Sequence, residues 1–422
     1  MRVMVLGSGG REDVLAQALS HSPDVVEVIV TPGRERLRPL EKITNVPIQA
    51  DDTAALIRLA HEHAVDLIVP GPEAPLVAGF ADAARRAGLN VFGPSAAVAI
   101  LTEGSKCAAK RFMARNHIPT AEPFRCFGPG DQPSSFIHSL TLPIVVKDDE
   151  LAGGKGVTIA KTRKEAFAAA DQLSGSGHGY VVEPYLNGWE MTYACLVAGE
   201  SFLPLASSRD HKVFNGKMTG GMAAVSPEPR LTPELEAKII DRILRPTIQG
   251  LTAEGYCYTG FLYLGLMIVD DEPYLLEYNC RLGDPEAQVI LPRLSEDLAN
   301  VLYTLVTSKS LLMAAPGGSL PLLRWDTRAA ATVVLAAEGY PGTPVRGAEI
   351  FGIKEVEAIP NVELFHAGTS LQGDTVIVNG GRVLNVTAFG SSVRNAAERA
   401  YAAARMISWQ GMQMLQEIPN LD

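Results

Sequence analysis

In the first hundred residues, short apolar runs that stop at glycine alternate with stretches of helical spacing. No other feature of the chain restricts its fold as much. Arg2–Leu6 runs into glycines, and Asp13–Ser20 follows with helical apolar spacing. Val25–Val30 stops at Thr31-Pro32-Gly33, Ala54–His63 is helical, and Asp66–Pro70 ends at Gly71-Pro72-Glu73. Val77–Ala87 reads as a helix and Asn90–Phe92 as a strand ending at Gly93-Pro94. Strands alternating with helices predict an α/β unit built on a parallel sheet with both faces covered. Ligands of such sheets sit at the carboxyl ends of the strands. The loops Gly7–Glu12, Pro32–Arg36 and Gly71–Glu73 all fall there.

The pattern changes at Gly104. A helix with basic residues, Ser105–Asn116, leads to a linker at His117–Thr120. Residues 121–190 are strand-rich, with a helix at Arg163–Leu173. Helix Pro233–Ala253 precedes strands Gly260–Val269 and Pro273–Glu277. From Trp325 onward short strands dominate (Ala329–Ala336, Glu363–Gly368, Thr375–Val378, Val383–Phe389), and a helix closes the region at Val393–Ile407. The 422 residues have room for three domains at about 100–200 residues each. We expect them at 1–103, 104–325 and 326–422, with residues 119–190 as a mobile lid on the second.

A net charge of −10 argues against nucleic acid as the main partner, since phosphate backbones need a basic surface. A small anionic substrate remains compatible, because one pocket can be positive on an acidic protein. The five cysteines form no CxxC pair, so reduced thiols in a cytoplasmic protein are expected. No apolar run reaches the roughly 18 residues of a membrane span, and a signal peptide, which would need a longer apolar stretch and a small-residue cleavage site, is not expected.

Several segments carry candidate chemistry. Gly7-Ser8-Gly9-Gly10-Arg11-Glu12 follows a strand and opens a helix. It suits either an anion at the helix start or a tight strand–helix turn. Glu12 stands where a dinucleotide fingerprint needs glycine. Gly153-Gly154-Lys155-Gly156 joins two strands; it is either a lid over a triphosphate or a plain hairpin. Lys147 ends the apolar strand Pro143–Lys147 and must find an anion or reach solvent. Glu277 and Asn279 alternate onto one face of a strand end. Their hard oxygens suit Mg²⁺ bridging phosphates, and Arg281 on the same face could steady a phosphoryl group. Asp210-His211-Lys212, before Thr219-Gly220-Gly221, is either a substrate loop or a surface turn. No histidine pair has zinc spacing.

In order, GSGGRE, GPEAPLVAG, FGPS, EGSK, PIVVK, GGKG, VVEPYLNGWE, DHK, TGGM, TGFLY, EYNCRLGDPE, FHAGT and GRVLNVTA span nearly the whole chain. This series resembles the phosphoribosylamine–glycine ligase family, also called glycinamide ribonucleotide synthetase, of the ATP-grasp superfamily. The resemblance implies an ATP-grasp fold flanked by an N-terminal parallel-sheet α/β (pre-ATP-grasp) domain and a small C-terminal strand-rich, rudiment-hybrid-like domain. It implies an ATP-dependent ligase joining glycine to 5-phosphoribosylamine through a glycyl phosphate, the second step of purine synthesis. ATP and Mg²⁺ or Mn²⁺ are the implied cofactors, and a monomer or weak homodimer the implied assembly.

Carried over residue by residue, Lys106 and Lys147 hold ATP phosphates under the lid Gly153, Gly154, Lys155 and Gly156. Glu183, Pro184, Tyr185 and Leu186 form the adenine hinge, mostly through backbone, and Glu190 binds ribose. Glu277 and Asn279 ligate the metal. Gly9, Gly10, Arg11, Glu12, Glu73, Lys212, Arg281, Gly283 and Asp284 hold substrate, and Arg281, Lys155 and Asp210 serve catalysis. Phosphoryl transfer needs positioning and charge neutralisation, so the lack of a catalytic triad is expected.

The chain departs from the family pattern at Asp13 (usually histidine), Arg34 (usually asparagine) and Glu150 (usually glycine), and it is shorter at 213–218 and 174–179. A carboxylate at 150 would repel a triphosphate unless it points away or meets Lys155. These departures leave open a divergent ligase for another acid or amine, or a non-catalytic nucleotide-binding homologue.

Overall fold

The structure, a computed structural model, describes residues 1–34, 40–151, 153, 156–308 and 323–421. The N-terminal part runs β1 (Arg2–Gly7), α1 (Gly10–Ser20), β2 (Glu27–Pro32), β3 (Ile43–Asn45), α2 (Thr53–Glu62), β4 (Leu67–Pro70), α3 (Glu73–Val77), α4 (Phe80–Arg86) and α5 (Ala96–Ala99). Its sheet has the order β3-β2-β1-β4 and every pair is parallel. Both faces of β1 and β4 are buried, as crossover helices require. Some details differ from the sequence reading, and the short edge strand β3 was not anticipated. The helix expected over 77–87 is broken at Gly79, whose φ of +90° ends one helix and opens the next. Asn90–Phe92 contributes a single bridge, Val91 to Ile68, before the chain turns at Gly93-Pro94.

A π-type turn over residues 100–104 leads into α6 (Lys106–Arg115), which Ser105 caps by accepting from Ala108 N at 3.0 Å. Next come β5 (Arg125–Phe127), α7 (Ser134–Ser139), β6 (Ile144–Asp148), β7 (Val157–Ala160), α8 (Arg163–Gly175) and β8 (Tyr180–Pro184). They form an antiparallel sheet, β5-β8-β6-β7, over a small core of their own that includes Phe127, Ile137, Val146, Ala166 and Tyr180. That separate core makes the segment a discrete layer.

The chain continues through β9 (Trp189–Ala198), β10 (Ser201–Pro204), β11 (Arg209–Asp210), β12 (Val213–Phe214), β13 (Lys217–Met218) and β14 (Ala223–Ser226), then β15 (Thr259–Val269) and β16 (Glu272–Asn279). The sheet β10-β9-β15-β16 faces the β5–β8 layer across a cleft. Gly188 marks the return into it: a Cβ there would stand 2.1 Å from the carbonyl oxygen of Ile268. Beyond residue 326 lie β17 (Ala329–Ala336), β18 (Val362–His366), β19 (Thr369–Gln372), β20 (Thr375–Val378) and β21 (Arg382–Gly390), closed by the helix Val393–Ala404. One five-stranded sheet, β11-β14-β17-β21-β18, joins strands from both sides of residue 325. It brings the DHK loop and the C-terminal strands to the same edge of the cleft. All five cysteines are free thiols, and no helix among the described residues is long and apolar enough to cross a membrane.

Candidate active site

The layers meet around a cavity of about 240 Å³ whose walls come from all three parts of the chain. Lys106 and Lys147 stand on one side of it. Lys106 Nζ donates to the Glu150 carbonyl at 3.1 Å. Lys147, the last inward residue of β6, is buried, with Nζ 2.6 Å from Glu183 Oε1 and donating to Leu276 O at 3.3 Å. Burial alone would neutralise it, but Glu183 overrides this and keeps the ammonium charged. The anion expected for Lys147 is thus, in this state, an internal carboxylate. Gly153 and Gly156 line the cavity above; Gly154 and Lys155 lie outside the described residues.

The far wall is the end of β16. Glu277 pairs with Gly265 and Asn279 with Tyr263, beside a bulge between Gly265 and Leu266, and both line the cavity, as their two-residue spacing predicted. Burial pushes the Glu277 carboxyl up, but Lys212, Lys147 and Lys106 hold it below its ordinary value, so it stays ionised. Among the described residues no side chain hydrogen-bonds to either group. A carboxylate and an amide oxygen, both open to the cleft, are hard ligands that fit a divalent cation.

Arg281 lies two residues on. Its Nε is 3.2 Å from Glu73 Oε2 and its Nη2 2.7 Å from Glu103 Oε1. Burial works against ionisation of Glu73, but Arg281 and then Arg11 outweigh it and hold its pKa at about 2. Burial pushes the Glu103 carboxyl the other way. Glu103 sits on the π-type turn, a common device at functional sites, and accepts from Cys280 N at 2.8 Å. The fork of Arg281 is therefore fixed before any ligand arrives.

The N-terminal loop is filled by its own glutamate. Glu12 Oε2 accepts from Gly9 N at 2.6 Å, and Oε1 meets Arg11 Nε at 2.6 Å. A Cβ on Gly7 or Gly71 would stand 2.5 or 2.2 Å from Glu12 atoms. Those glycines make space for a buried carboxylate, and the Gly9 amide read as an anion donor already has one. Gly10 lets the C-terminal region approach, since a Cβ there would meet Asn385 Nδ2 at 2.4 Å. Arg11 Nη1 donates to Leu282 O, and Asp284 is held by Arg382 Nη2 at 3.1 Å and by Gln288 at 2.7 Å.

The loop at 210–212 is no surface turn. Asp210 and Lys212 line the cavity 3.6 Å apart, with the Asp210 side chain 5% exposed. Burial raises the Asp210 pKa to about 8, with Lys212 opposing and Glu286, Glu190 and Glu277 adding to the rise. Among the described residues, oxygen Oδ2 of Asp210 has no hydrogen-bond donor. Behind it Tyr263 Oη and Thr192 Oγ1 both donate to Glu286 Oε1, at 2.9 and 3.3 Å. This end of the cleft holds more carboxylates than cations, which suits an incoming ammonium.

Arg11, Glu73, Lys106, Lys147, Lys212, Gly283 and Asp284 all reach the cavity. Gly9, Gly10 and Glu12 do not line it, nor do Glu183, Pro184, Tyr185, Leu186 and Glu190. The Glu183 carboxylate is engaged by Lys110 and Lys147. A second cavity of about 340 Å³ lies on the other face of α1, lined by Gly9, Glu12, Asp13, Arg34 and Asn45 among others. The departures are absorbed locally. Asp13 accepts from His366 N at 2.9 Å, Arg34 Nε donates to Ser8 O at 2.6 Å, and Glu150 turns its carboxylate to 3.5 Å from His178. Glu103, Lys110, Tyr263, Glu286 and Arg382 also line the cleft without having been singled out. Glu103, Tyr263, Glu286 and Arg382 lay inside the quoted motifs, and the only signal of the three charged ones was a charge in an otherwise apolar or turn-forming segment.

Three family models tile the chain: the N domain of phosphoribosylglycinamide synthetase over 1–102, its ATP-grasp (A) domain over 104–287 and its C domain over 330–419. The phosphoribosylamine–glycine ligase of Vibrio parahaemolyticus is 43% identical, with 98% of this chain and 96% of that one aligned. The crystal structure of the Thermotoga maritima phosphoribosylamine–glycine ligase superposes with a TM-score of 0.80 at 32% identity, over 98% of this chain and 99% of that one. A biotin carboxylase domain from Hydrogenobacter thermophilus shares the fold at a TM-score of 0.70 and 17% identity, over 98% and 91% of the chains. The ATP-grasp architecture and the order of motifs thus agree along the entire length, and the chain belongs to the phosphoribosylglycinamide synthetase family.

Proposed function

We propose that this protein joins glycine to 5-phosphoribosylamine at the expense of ATP, giving glycinamide ribonucleotide, ADP and phosphate. The observation that carries the reading is similarity to ligases of that name along nearly the whole chain, 43% identical over 98% of it. The cleft and the segments beside it supply groups suited to each partner. Lys106 and Lys147 face the triphosphate, with Gly153 and Gly156 above it; Gly154 and Lys155 are assigned to the same phosphate loop. The backbone of Glu183, Pro184, Tyr185 and Leu186 receives adenine, and Glu190 the ribose. Glu277 and Asn279 would hold Mg²⁺, or Mn²⁺ in its place; the ion would neutralise phosphate charge during transfer. Arg11, Glu73, Arg281, Gly283 and Asp284, with the loop Gly9–Glu12 behind them, position phosphoribosylamine, and Lys212 lies beside the glycine end.

The glycine carboxylate attacks the γ-phosphorus, and the bond to ADP breaks. Arg281, fixed by Glu73 and Glu103, steadies the charge on the transferring group. The amine nitrogen then bonds to the glycyl carbonyl carbon, phosphate leaves with the electron pair, and the amine gives up a proton. Asp210, with its pKa raised to about 8, can take it through its ionised fraction, which grows as pH approaches 8. The hairpin over Gly153–Gly156 would keep water from the acyl phosphate. A coupled ADP assay across a panel of amino acids, with and without phosphoribosylamine, tests the assignment. ADP release should require both glycine and the amine; release indifferent to either would overturn it.

A further inference from the structure

Lys147 is read above as a phosphate ligand, yet its ammonium is already occupied. Glu183 holds it, and the same carboxylate is shared with a second lysine. Lys110 Nζ lies 2.5 Å from Glu183 Oε2 while Lys147 Nζ lies 2.6 Å from Oε1. All three side chains are buried, at 3%, 1% and 8% exposure for Lys110, Glu183 and Lys147. Two cations thus share one buried carboxylate, with Glu122 as a further anion toward Lys110 and Glu277 and Glu190 toward Lys147.

The two lysines are anchored differently. Lys147 and Glu183 belong to the same layer, on neighbouring strands β6 and β8. Lys110 belongs to α6, whose Phe112 and Met113 pack in the core under β9, β15 and β16. Its ammonium also donates to Thr120 Oγ1 at 2.5 Å, and that hydroxyl donates to Leu275 O at 2.6 Å, on the strand that carries Glu277. Among the described residues Lys147 has no comparable second anchor beyond the carbonyl of Leu276 at 3.3 Å. Burial and the proximity of Lys147 lower the Lys110 pKa to about 8 against the pull of Glu183, as expected when like charges crowd one carboxylate.

We propose that Lys110 is a positioning residue that releases Lys147 to the nucleotide. This rests on the reading of Lys147 as a phosphate ligand. When Lys147 turns to the phosphates, Glu183 would be left as a buried, uncompensated charge, which is costly. Lys110 stays and keeps that carboxylate neutralised, so the transfer of Lys147 costs little. Without Lys110, Glu183 holds Lys147 as its only counter-charge, and the binding-competent state becomes rare.

The test measures affinity of the full chain for a non-hydrolysable ATP analogue with Mg²⁺ by calorimetry, alongside kcat and KM for ATP. Lys110→Met should weaken binding at least about tenfold, the effect of reducing the competent fraction to about a tenth. Its kcat at saturation should fall far less. Lys110→Arg, which keeps the charge, should recover most of the affinity. Lys110→Met combined with Glu183→Gln should bind more tightly than Lys110→Met alone, because no carboxylate remains to trap Lys147. A double variant no better than the single would overturn the inference and make Lys110 a direct ligand or a purely structural residue. So would unchanged affinity in Lys110→Met while Lys147→Met binds weakly. If Lys147→Met binds normally, the reading of Lys147 fails first, and this inference with it. Should Lys110→Met not fold, Lys110→Arg alone decides: a KM unchanged within twofold supports the charge role, and a loss as large as that of Lys147→Met refutes it.

Discussion

Replacing Arg281 with methionine should produce a stability loss that depends on pH. The guanidinium bridges Glu73 and Glu103 at 3.2 and 2.7 Å, and methionine keeps much of the hydrocarbon while deleting the charge. Glu73 sits at a pKa of about 2 against its ordinary 4.5, with Arg281 the largest favourable influence and Arg11 the next. At about 1.4 kcal/mol per pH unit, the depression is worth about 3 kcal/mol at neutral pH. Arg11 survives the substitution, so about 2 kcal/mol should be lost. The sign follows from the depressed value. The stabilisation is fully present above pH 4.5 and fades as pH falls through 2. Urea midpoints followed by tryptophan fluorescence should therefore separate wild type and Arg281→Met by about 2 kcal/mol at pH 7, and by progressively less below pH 4.5. An equal gap at pH 7 and pH 3.5 would refute the electrostatic account and leave only lost packing. Ligase activity should fall far more than stability, and Arg281→Lys should not restore it, because an ammonium cannot span both carboxylates as the fork does.

Glu277→Gln should retain the fold and lose turnover by about 100-fold or more, the scale of removing one electrostatic group from a reacting centre; full activity at ordinary Mg²⁺ would remove the metal role. Asp210→Asn should abolish or severely slow ligation yet stabilise the nucleotide-free protein at pH 8. The native carboxyl, raised to about 8, stays protonated while the unfolded one ionises, a cost that grows as pH rises from about 4 to 8. Thermal shifts that favour the variant equally at pH 4 would contradict this. Hydrogen exchange over residues 119–190 should slow when an ATP analogue and Mg²⁺ are added; unchanged exchange there would argue against closure of the β5–β8 layer.

Much of this was legible in the residues. Glycines at strand ends and apolar runs at the right spacing marked the parallel sheet, because backbone sterics and burial act locally. The alternation of Glu277 and Asn279 put both on one face, because a strand's period is two. The family followed from motifs held in order over the whole chain. Other features required the folded chain, because they depend on which distant charges meet in low dielectric. Nothing in GSGGRE says that Glu12 fills its own loop, or in VVEPY that Glu183 is shared by Lys110 and Lys147. Asp210 reads as a loop carboxylate in the sequence, and only enclosure with Glu286 and Glu277 raises its pKa. Local pattern determined the elements and the candidate ligands; tertiary packing decided which charges pair, which stay open to the cleft, and so which can act.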